Sequence, residues 1–324
     1  MLEIYQSIDR AAAPVLQETI APGCWVRMIR PTEEEIASVC TTLSIPREDI
    51  ITLLDDEESP RIEHDDGRTL IIVDTPYVAD GTDTSIKTSA GHTSYTTIPS
   101  GFIVMQNVIV TVSLRKNPVL QTFIDGKVKN FSTVKKTRFL LLFLYRNAGL
   151  FVQLLRQIDK KTAEIEQALK KSTRNEEIFQ MLGISTSLVY ITNALKANEV
   201  VLEKLSRFPS PEVRMYEADE DLLDDTIIEN RQALEMAQTY STTLSSTMDA
   251  FASIINNNVN GIMKLFTCVT ILLTIPTMIA SFLGMNVLIP DILSENPFAF
   301  GGIILGSLSI SAVFLWIMFY KKVI

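Results

Sequence analysis

The chain has 324 residues, of which 47% are hydrophobic and 21% charged, and its formal net charge is −9 at pH 7. This length allows one sizeable soluble domain together with a small membrane part. Residues 261–324 carry three lysines and two acidic residues, so residues 1–260 hold a net charge of −10. Such an acidic domain argues against nucleic acid as a partner and favours divalent cations.

The N-terminal residues MLEIYQSIDR contain neither a basic n-region nor an apolar h-region. No cleaved signal peptide is predicted, and we expect the large acidic domain to stay in the cytosol. Cys24, Cys40 and Cys268 lack the paired spacing of a zinc or thiol redox site, which indicates ordinary buried thiols. His64 and His92 have no second histidine or cysteine at a ligand spacing, so we interpret both as surface or turn residues.

Residues 1–130 alternate short β-branched runs with turn residues, a pattern that predicts a mixed α/β domain. The runs Trp25–Ile29 and 69–73 are predicted strands, and the run 102–113 is predicted to supply strands of the same sheet, with Gln106 and Asn107 between them. Thr32 followed by Glu35 predicts a capping box at the start of a helix. The segment 80–101 is rich in Thr, Ser and Gly, and we predict a hairpin-like excursion outside the core.

Residues 131–208 have a helical pattern with a polar break at Asn175, which predicts an antiparallel helical pair. Residues 209–263 are predicted to form a long stalk helix that starts near Val213 and continues into the membrane. About 70 residues at 1.5 Å of rise each would make a helix roughly 100 Å long. Pro276 removes one backbone hydrogen bond and is expected to bend this helix.

Residues 264–286 are predicted to be the first membrane span, because this stretch has no charge after Lys264 and exceeds the roughly 20 apolar residues a bilayer requires. Small and polar residues recur along one side of it at alternating steps of three and four. The predicted pore-lining positions are Asn256, Asn260, Met263, Thr267, Thr270, Thr274, Thr277 and Ser281.

That spacing is typical of helices that wrap around a common axis, so several copies could line a passage with hydroxyls. Neutral oxygens can hydrogen-bond the water shell of a cation without holding the ion too tightly to release it. The alternative is that these small residues only let membrane helices pack closely.

Residues 297–320 are predicted to be the second span, since they carry no charge and contain glycines for close packing. Lys264 and the basic tail 321–324 belong on one side of the membrane, and their charge makes that side cytoplasmic. Both termini are therefore expected on the cytoplasmic side of the cell membrane. The loop 287–296 would face outward, where Asp291 and Glu295 would attract cations.

The first span ends in Gly284, Met285 and Asn286. This triplet, at the outer end of the first of two C-terminal spans behind a long acidic domain, resembles the CorA family of magnesium transporters. Members typically have an aromatic residue before the glycine, whereas this chain has Leu283 there and Phe282 one place earlier. The resemblance implies an α+β membrane protein with a cytosolic α/β domain, a long helical stalk and two C-terminal transmembrane helices.

The resemblance also implies a homopentameric Mg²⁺ channel that is driven by the membrane potential and closed by cytosolic Mg²⁺. Asp221 falls where the family has a regulatory magnesium ligand between subunits, and Asp80 is its candidate partner. Asp224 and Asp225 are further candidates. Without the resemblance, this acidic cluster would be explained by the favourable charge at a helix N-terminus.

Other functions stay open at this point. Co²⁺, Ni²⁺ or Zn²⁺ could be the cargo, although a stripe without His or Cys favours a hard, oxygen-liking ion. A membrane-anchored helical sensor or scaffold is a second class, but it would need only one span and no polar stripe. An enzyme is disfavoured, because the sequence offers no pairing of nucleophile and base, no phosphate loop and no paired metal ligands.

Overall fold

The computed structural model describes seven segments of the chain: residues 1–7, 13–65, 67–79, 94–171, 175–208, 210–285 and 298–320. These residues form two compact units, an N-terminal unit of Met1–Ser246 and a C-terminal unit of Thr247–Ile324. The predicted division was finer, because it separated the α/β domain from the helical pair and the stalk.

The N-terminal unit is built on one mixed sheet. Its strands are β1 (Leu2–Gln6), β2 (Val15–Gln17), β3 (Trp25–Ile29), β4 (Arg61–Asp65), β5 (Arg68–Ala79), β6 (Ser94–Met105) and β7 (Ile109–Ser113). Their order across the sheet is β2-β1-β3-β7-β6-β5-β4. Neighbours are antiparallel except β3 and β7, which run parallel with Trp25 opposite Ile109. A parallel pair needs a long crossover connection, and the intervening helices and strands supply it.

Helices cover both faces of the sheet. On one face, α1 (Glu33–Leu43) and α2 (Arg47–Thr52) form a hydrophobic core with strand residues such as Ile72 and Ile103. On the other face lie α3 (Pro118–Ile124), α4 (Lys136–Lys171) and α5 (Asn175–Arg207). An aromatic cluster fills this second core, in which the ring of Phe139 packs edge-on against Trp25. The Trp25 indole N–H donates to Thr111 Oγ1 at 2.8 Å, so the one polar atom of that ring is satisfied.

Several sequence predictions are confirmed in this unit. The strand at Trp25–Ile29 has the predicted bounds, and one helix ends at Lys171 while the next begins at Asn175, where a break was predicted. The capping box is present, because the Glu35 N–H donates to Thr32 Oγ1 at 3.3 Å and the Thr32 N–H donates to the Glu35 carboxylate at 2.8 Å.

The prediction for the end of segment 80–101 is wrong. Residues from Ser94 onward belong to β6, which pairs with β5 along its whole length, and Tyr95 and Ile98 are buried. Thr, Tyr and Ile fit a pleated, half-buried surface, so here they outweigh the turn-like composition. Gly101 also has a packing role rather than a turn role, since a Cβ there would collide with Leu53. Residues 80–93 lie outside the described residues.

The sixth helix, α6 (Glu217–Leu283), runs from the N-terminal unit into the C-terminal unit without interruption at Gly261 or Pro276. This confirms the predicted continuous helix, although it begins at Glu217 rather than near Val213. After Asp219, its buried positions within the N-terminal unit form one seam at steps of three, four or seven residues: Leu223, Thr226, Asn230, Ala233, Ala237 and Leu244. The Asn230 amide donates to the Leu195 carbonyl at 3.0 Å, which attaches this seam to α5.

Two asparagines complete the sheet where strand pairing stops. β4 pairs with β5 only as far as Ile72. At Asp74, the backbone N–H donates to Asn198 Oδ1 at 2.9 Å, and Asn198 Nδ2 donates back to the Asp74 carbonyl at 2.9 Å. Asn147 Nδ2 donates to the same carbonyl at 2.7 Å. Side chains of α4 and α5 therefore replace the missing strand, which fixes both helices on the sheet.

Replacing Asn198 with alanine would leave the Asp74 N–H unpartnered in a buried place. We expect Asn198→Ala to lower the free energy of unfolding by about 2 to 3 kcal/mol. Thermal melting followed by circular dichroism would measure the loss. Lys196→Ala is the matched control, because Lys196 is exposed on the same helix. Equal stability of the two variants would contradict the proposed edge contact.

Burial raises the pKa of the Asp74 carboxyl from 3.8 to about 7. The folded state therefore keeps this proton at pH values where the unfolded chain releases it. The resulting stabilisation is complete below about pH 4 and disappears as the pH rises through 7. We expect Asp74→Asn, which cannot ionise, to unfold less readily than the parent protein above about pH 7, by on the order of 4 kcal/mol.

The measurement is thermal melting of both proteins between about pH 4 and about pH 8. Asp159→Asn is the control, because that carboxylate is exposed. A parent melting temperature that follows the same pH dependence as Asp74→Asn would show that Asp74 does not carry the raised pKa.

Candidate functional site

The C-terminal unit contains the end of α6 and one further helix, α7 (Ala299–Tyr320). Four helices of the described residues are long and apolar enough to cross a membrane: α4, α5, α6 and α7. In the most hydrophobic stretches of α4 and α5, 61% and 39% of the residues are buried in the chain itself, against 6% in α6 and 11% in α7. The apolar surfaces of α6 and α7 therefore need cover from outside the chain, as membrane helices do.

The eight stripe residues predicted from the spacing are all exposed on α6. Four threonine hydroxyls of the stripe donate to the carbonyl four residues earlier on the same helix. The pairs are Thr267 to Met263 at 2.9 Å, Thr270 to Phe266 at 2.8 Å, Thr274 to Thr270 at 2.7 Å and Thr277 to Leu273 at 2.8 Å. Because each hydroxyl has one hydrogen, these side chains present only oxygen lone pairs to their surroundings.

A different side of α6 faces α7. Cys268 is buried there, and Leu272, Ile275 and Ile279 are partly buried. These positions differ from Thr270, Thr274 and Thr277 by more than a quarter of a turn, given 3.6 residues per turn. Packing against the second helix of the same chain therefore does not explain the stripe from Thr270 onward, whereas Asn260, Met263 and Thr267 line a cavity together with Met318 of α7.

Nothing in the backbone around Gly284, the glycine of the triplet, excludes a larger side chain at that position. The Gly284 N–H closes the last turn of α6 by donating to the Ala280 carbonyl at 3.0 Å, and a Cβ at Gly284 would lie 3.4 Å from that oxygen. Met285 is exposed. Asn286, and the predicted loop residues Asp291 and Glu295, lie outside the described residues.

The carboxylates at the start of α6 divide into two groups. Asp221, Asp224 and Asp225 are exposed. Asp219 is buried, with 7% of its surface exposed, and its Oδ1 accepts from the Arg138 guanidinium at 3.1 Å. The same guanidinium nitrogen donates to the Ala218 carbonyl at 2.6 Å. Asp219 is thus neutralised within the chain, whereas the other three carboxylates are directed outward.

Among the described residues, no group of three or more His, Cys, Asp or Glu side chains could hold a metal ion. Asp80, the candidate partner of Asp221, lies outside the described residues. No local pattern in the sequence indicates Arg138 as the partner of Asp219, because 81 residues separate the two.

Comparison with known proteins agrees with these features. Residues 22–321 match the family described as CorA-like Mg²⁺ transporter protein. The cobalt/magnesium transport protein CorA of Methanocaldococcus jannaschii is 28% identical over 273 residues, which make up 81% of this chain and 79% of that protein. The complete structure of the CorA magnesium transporter from the same organism is 25% identical, with a TM-score of 0.81 over 98% of this chain and 97% of that chain.

The cytoplasmic domain of ZntB from Vibrio parahaemolyticus shares the fold at 14% identity, with a TM-score of 0.59 over 79% of this chain and 98% of that domain. The fold of the soluble unit is therefore kept at low sequence identity. The family match spans the soluble unit and both apolar helices of the C-terminal unit. This chain belongs to the CorA family, whose members are membrane transporters of divalent cations rather than enzymes.

Proposed function

We propose that this chain forms a homopentameric Mg²⁺ channel in the cell membrane, with the exposed stripe of α6 lining the pore. The observation that carries the proposal is the donation of four threonine hydroxyl hydrogens to their own helix. No nucleotide is needed, because a divalent ion gains about 4.6 kcal/mol in crossing roughly 100 mV, twice the value for one charge.

Hydroxyls that can only accept hydrogen bonds suit a hydrated cation. In the shell around Mg²⁺ the water oxygens face the ion and the hydrogens point outward. Mg²⁺ gives up its water reluctantly and is best handled with several waters in place. Threonine oxygens with free lone pairs can accept hydrogen bonds from those waters, so the ion can move along the stripe without losing its shell.

This lining supports a preference for hard ions and a limited ability to discriminate among them. A wall that touches only the water shell responds to the charge and size of the hydrated ion. Mg²⁺ is therefore the proposed cargo, and Co²⁺ is a second one, as in the cobalt/magnesium relative. Ni²⁺ or Zn²⁺ would bind more tightly to His or Cys ligands, which the stripe lacks.

The proposed topology places both termini in the cytoplasm. Lys264 at the start of the first span and Lys321 and Lys322 after the second provide the basic residues of that side. The loop 287–296 is then external, and Asp291 and Glu295 concentrate cations near the mouth. Asn286 and the Gly284 backbone meet the hydrated ion at that mouth.

We assign cytosolic feedback to the outward-directed carboxylates of α6. Asp221 of one copy and Asp80 of the next would share a Mg²⁺ ion, with Asp224 and Asp225 beside it. Mg²⁺ keeps several waters and needs only one or two carboxylates, so a sparse site suffices. Feedback follows if the ion binds the closed state better than the open state.

Thr274→Val tests the lining, because valine has the shape of threonine and no oxygen. We expect the Mg²⁺ flux into vesicles with a negative interior to fall about tenfold, since each copy loses one acceptor at the same level of the pore. Thr274→Ser keeps the oxygen and is expected to retain most of the flux. Parent-like flux through Thr274→Val would contradict a hydroxyl-lined pore.

Asp221→Ala tests the feedback. We expect the variant to need about tenfold more cytosolic Mg²⁺ to close, because the closed state loses a ligand worth roughly 1.4 kcal/mol. Currents at stepped cytosolic Mg²⁺ would measure the shift. Glu235→Ala is the control, since Glu235 is an exposed carboxylate on the same side of α6, farther along the helix. Closure of both variants at the parent concentration would remove Asp221 from the regulatory site.

A further inference from the structure

Two buried serines of α7 differ in their hydrogen bonding. Ser307 is 6% exposed, and its hydroxyl donates to the Ile304 carbonyl at 2.9 Å. Ser311, one turn later, is 4% exposed, and its hydroxyl has no partner among the described residues. The exposed Ser309 also donates within its own helix, to the Leu305 carbonyl at 2.8 Å. The Ser311 hydroxyl is thus a buried donor that its own helix does not use.

The pore helix has a matching acceptor. Pro276 has no N–H, so the Leu272 carbonyl, four residues earlier, loses its helical donor. The two nearest stripe hydroxyls cannot replace it, because Thr274 donates to Thr270 and Thr277 donates to Leu273. In a membrane, a carbonyl freed in this way has to be satisfied by a neighbouring helix or by an ordered water.

The two groups lie at the same depth between the same two helices. Met318 lines one cavity of about 460 Å³ together with Lys264 and Cys268, so α6 and α7 run antiparallel. Two turns back from Met318, about 10 Å along α7, lies Ser311. The same distance along α6 from Lys264 and Cys268 leads to residues 271–275, on the partly buried side that faces α7.

We propose that Ser311 is a positioning residue for the pore helix, whose hydroxyl donates through one ordered water to the Leu272 carbonyl. The bond holds α6 at its proline, between Thr274 and Thr277 of the stripe. It thereby sets the direction of the outer half of the pore lining, which ends at Gly284. This role in conduction rests on the proposed pore, whereas the hydrogen bond does not.

The sign of one stability change tests the bond in the full-length protein. If Ser311 has no partner, Ser311→Ala removes an unsatisfied buried hydroxyl and raises the melting temperature. If Ser311 donates to Leu272, the same change leaves a carbonyl without a donor, and we expect the melting temperature to fall by about 2 °C. Ser307→Ala is the matched control, because that hydroxyl serves its own helix, and its effect should be smaller.

A double-mutant cycle identifies the acceptor. Pro276→Ala returns a helical N–H to the Leu272 carbonyl, so Ser311→Ala should no longer destabilise the protein in that background. A rise in melting temperature for Ser311→Ala, or an equal fall with and without Pro276, would overturn the proposal. Should Pro276→Ala fail to fold, the sign of the Ser311→Ala shift relative to Ser307→Ala still decides.

Flux measurements separate this proposal from the proposed function. If the parent protein carries Mg²⁺, we expect Ser311→Ala to change the flux while Ser307→Ala leaves it close to the parent value. If the parent protein carries no divalent ion, the pore assignment fails, but the melting experiments still decide whether the hydroxyl holds α6 at Pro276.

Discussion

The threonine hydroxyls of α6 obey the main constraint of a membrane helix, which is that each polar hydrogen needs an acceptor in a medium without water. Thr267, Thr270, Thr274 and Thr277 meet it by donating to carbonyls of their own helix. The cost of burying the donor is thereby removed before any ligand arrives. The remaining lone pairs all point away from the helix, where a hydration shell can use them. In contact with lipid these lone pairs would have no hydrogen-bond donors, and this favours a water-filled passage.

The same helix serves both compact units. In the N-terminal unit, small residues such as Ala233 and Ala237 let α6 pack closely in its seam, and Arg231 pairs with Glu199 and Glu203 of α5 at 2.7 and 3.0 Å. These exposed ion pairs add little stability, so the buried seam contributes most of the attachment of α6 to the N-terminal unit. In the C-terminal unit, almost none of the apolar surface of α6 is buried by other parts of the chain. Its proline is the single position of α6 whose backbone cannot donate.

Periodicity made much of this predictable from the sequence. The step of three and four residues predicted the exposed stripe, and the uncharged runs predicted the apolar end of α6 and the apolar helix α7, because both signals are local. The capping box at Thr32 is local too. Composition misled at residues 94–101, where Thr and Ser resemble a turn but pair with β5 over a full strand.

Contacts between distant parts of the chain could not be predicted. Asn198 meets Asp74 across 124 residues, and Arg138 meets Asp219 across 81 residues. Nothing in the local pattern of either pair differs from an ordinary polar surface. The packing of α4 and α5 on the sheet depends on such contacts. For this reason the local sequence pattern predicts these helices as a part separate from the α/β domain. The burial of the Ser311 hydroxyl likewise depends on how α7 packs, which the local sequence does not indicate.

Cysteine accessibility along α6 tests the central claim most directly. In a background without the native Cys24, Cys40 and Cys268, single cysteines would be placed through the first span and exposed to a charged, water-soluble thiol reagent during Mg²⁺ flux. We expect modification and block to recur at steps of three and four that include positions 270, 274 and 277, and to spare positions 271 and 275. Equal modification all round the helix, or block at positions 271 and 275 with sparing of the threonine side, would contradict a water-filled passage lined by these hydroxyls.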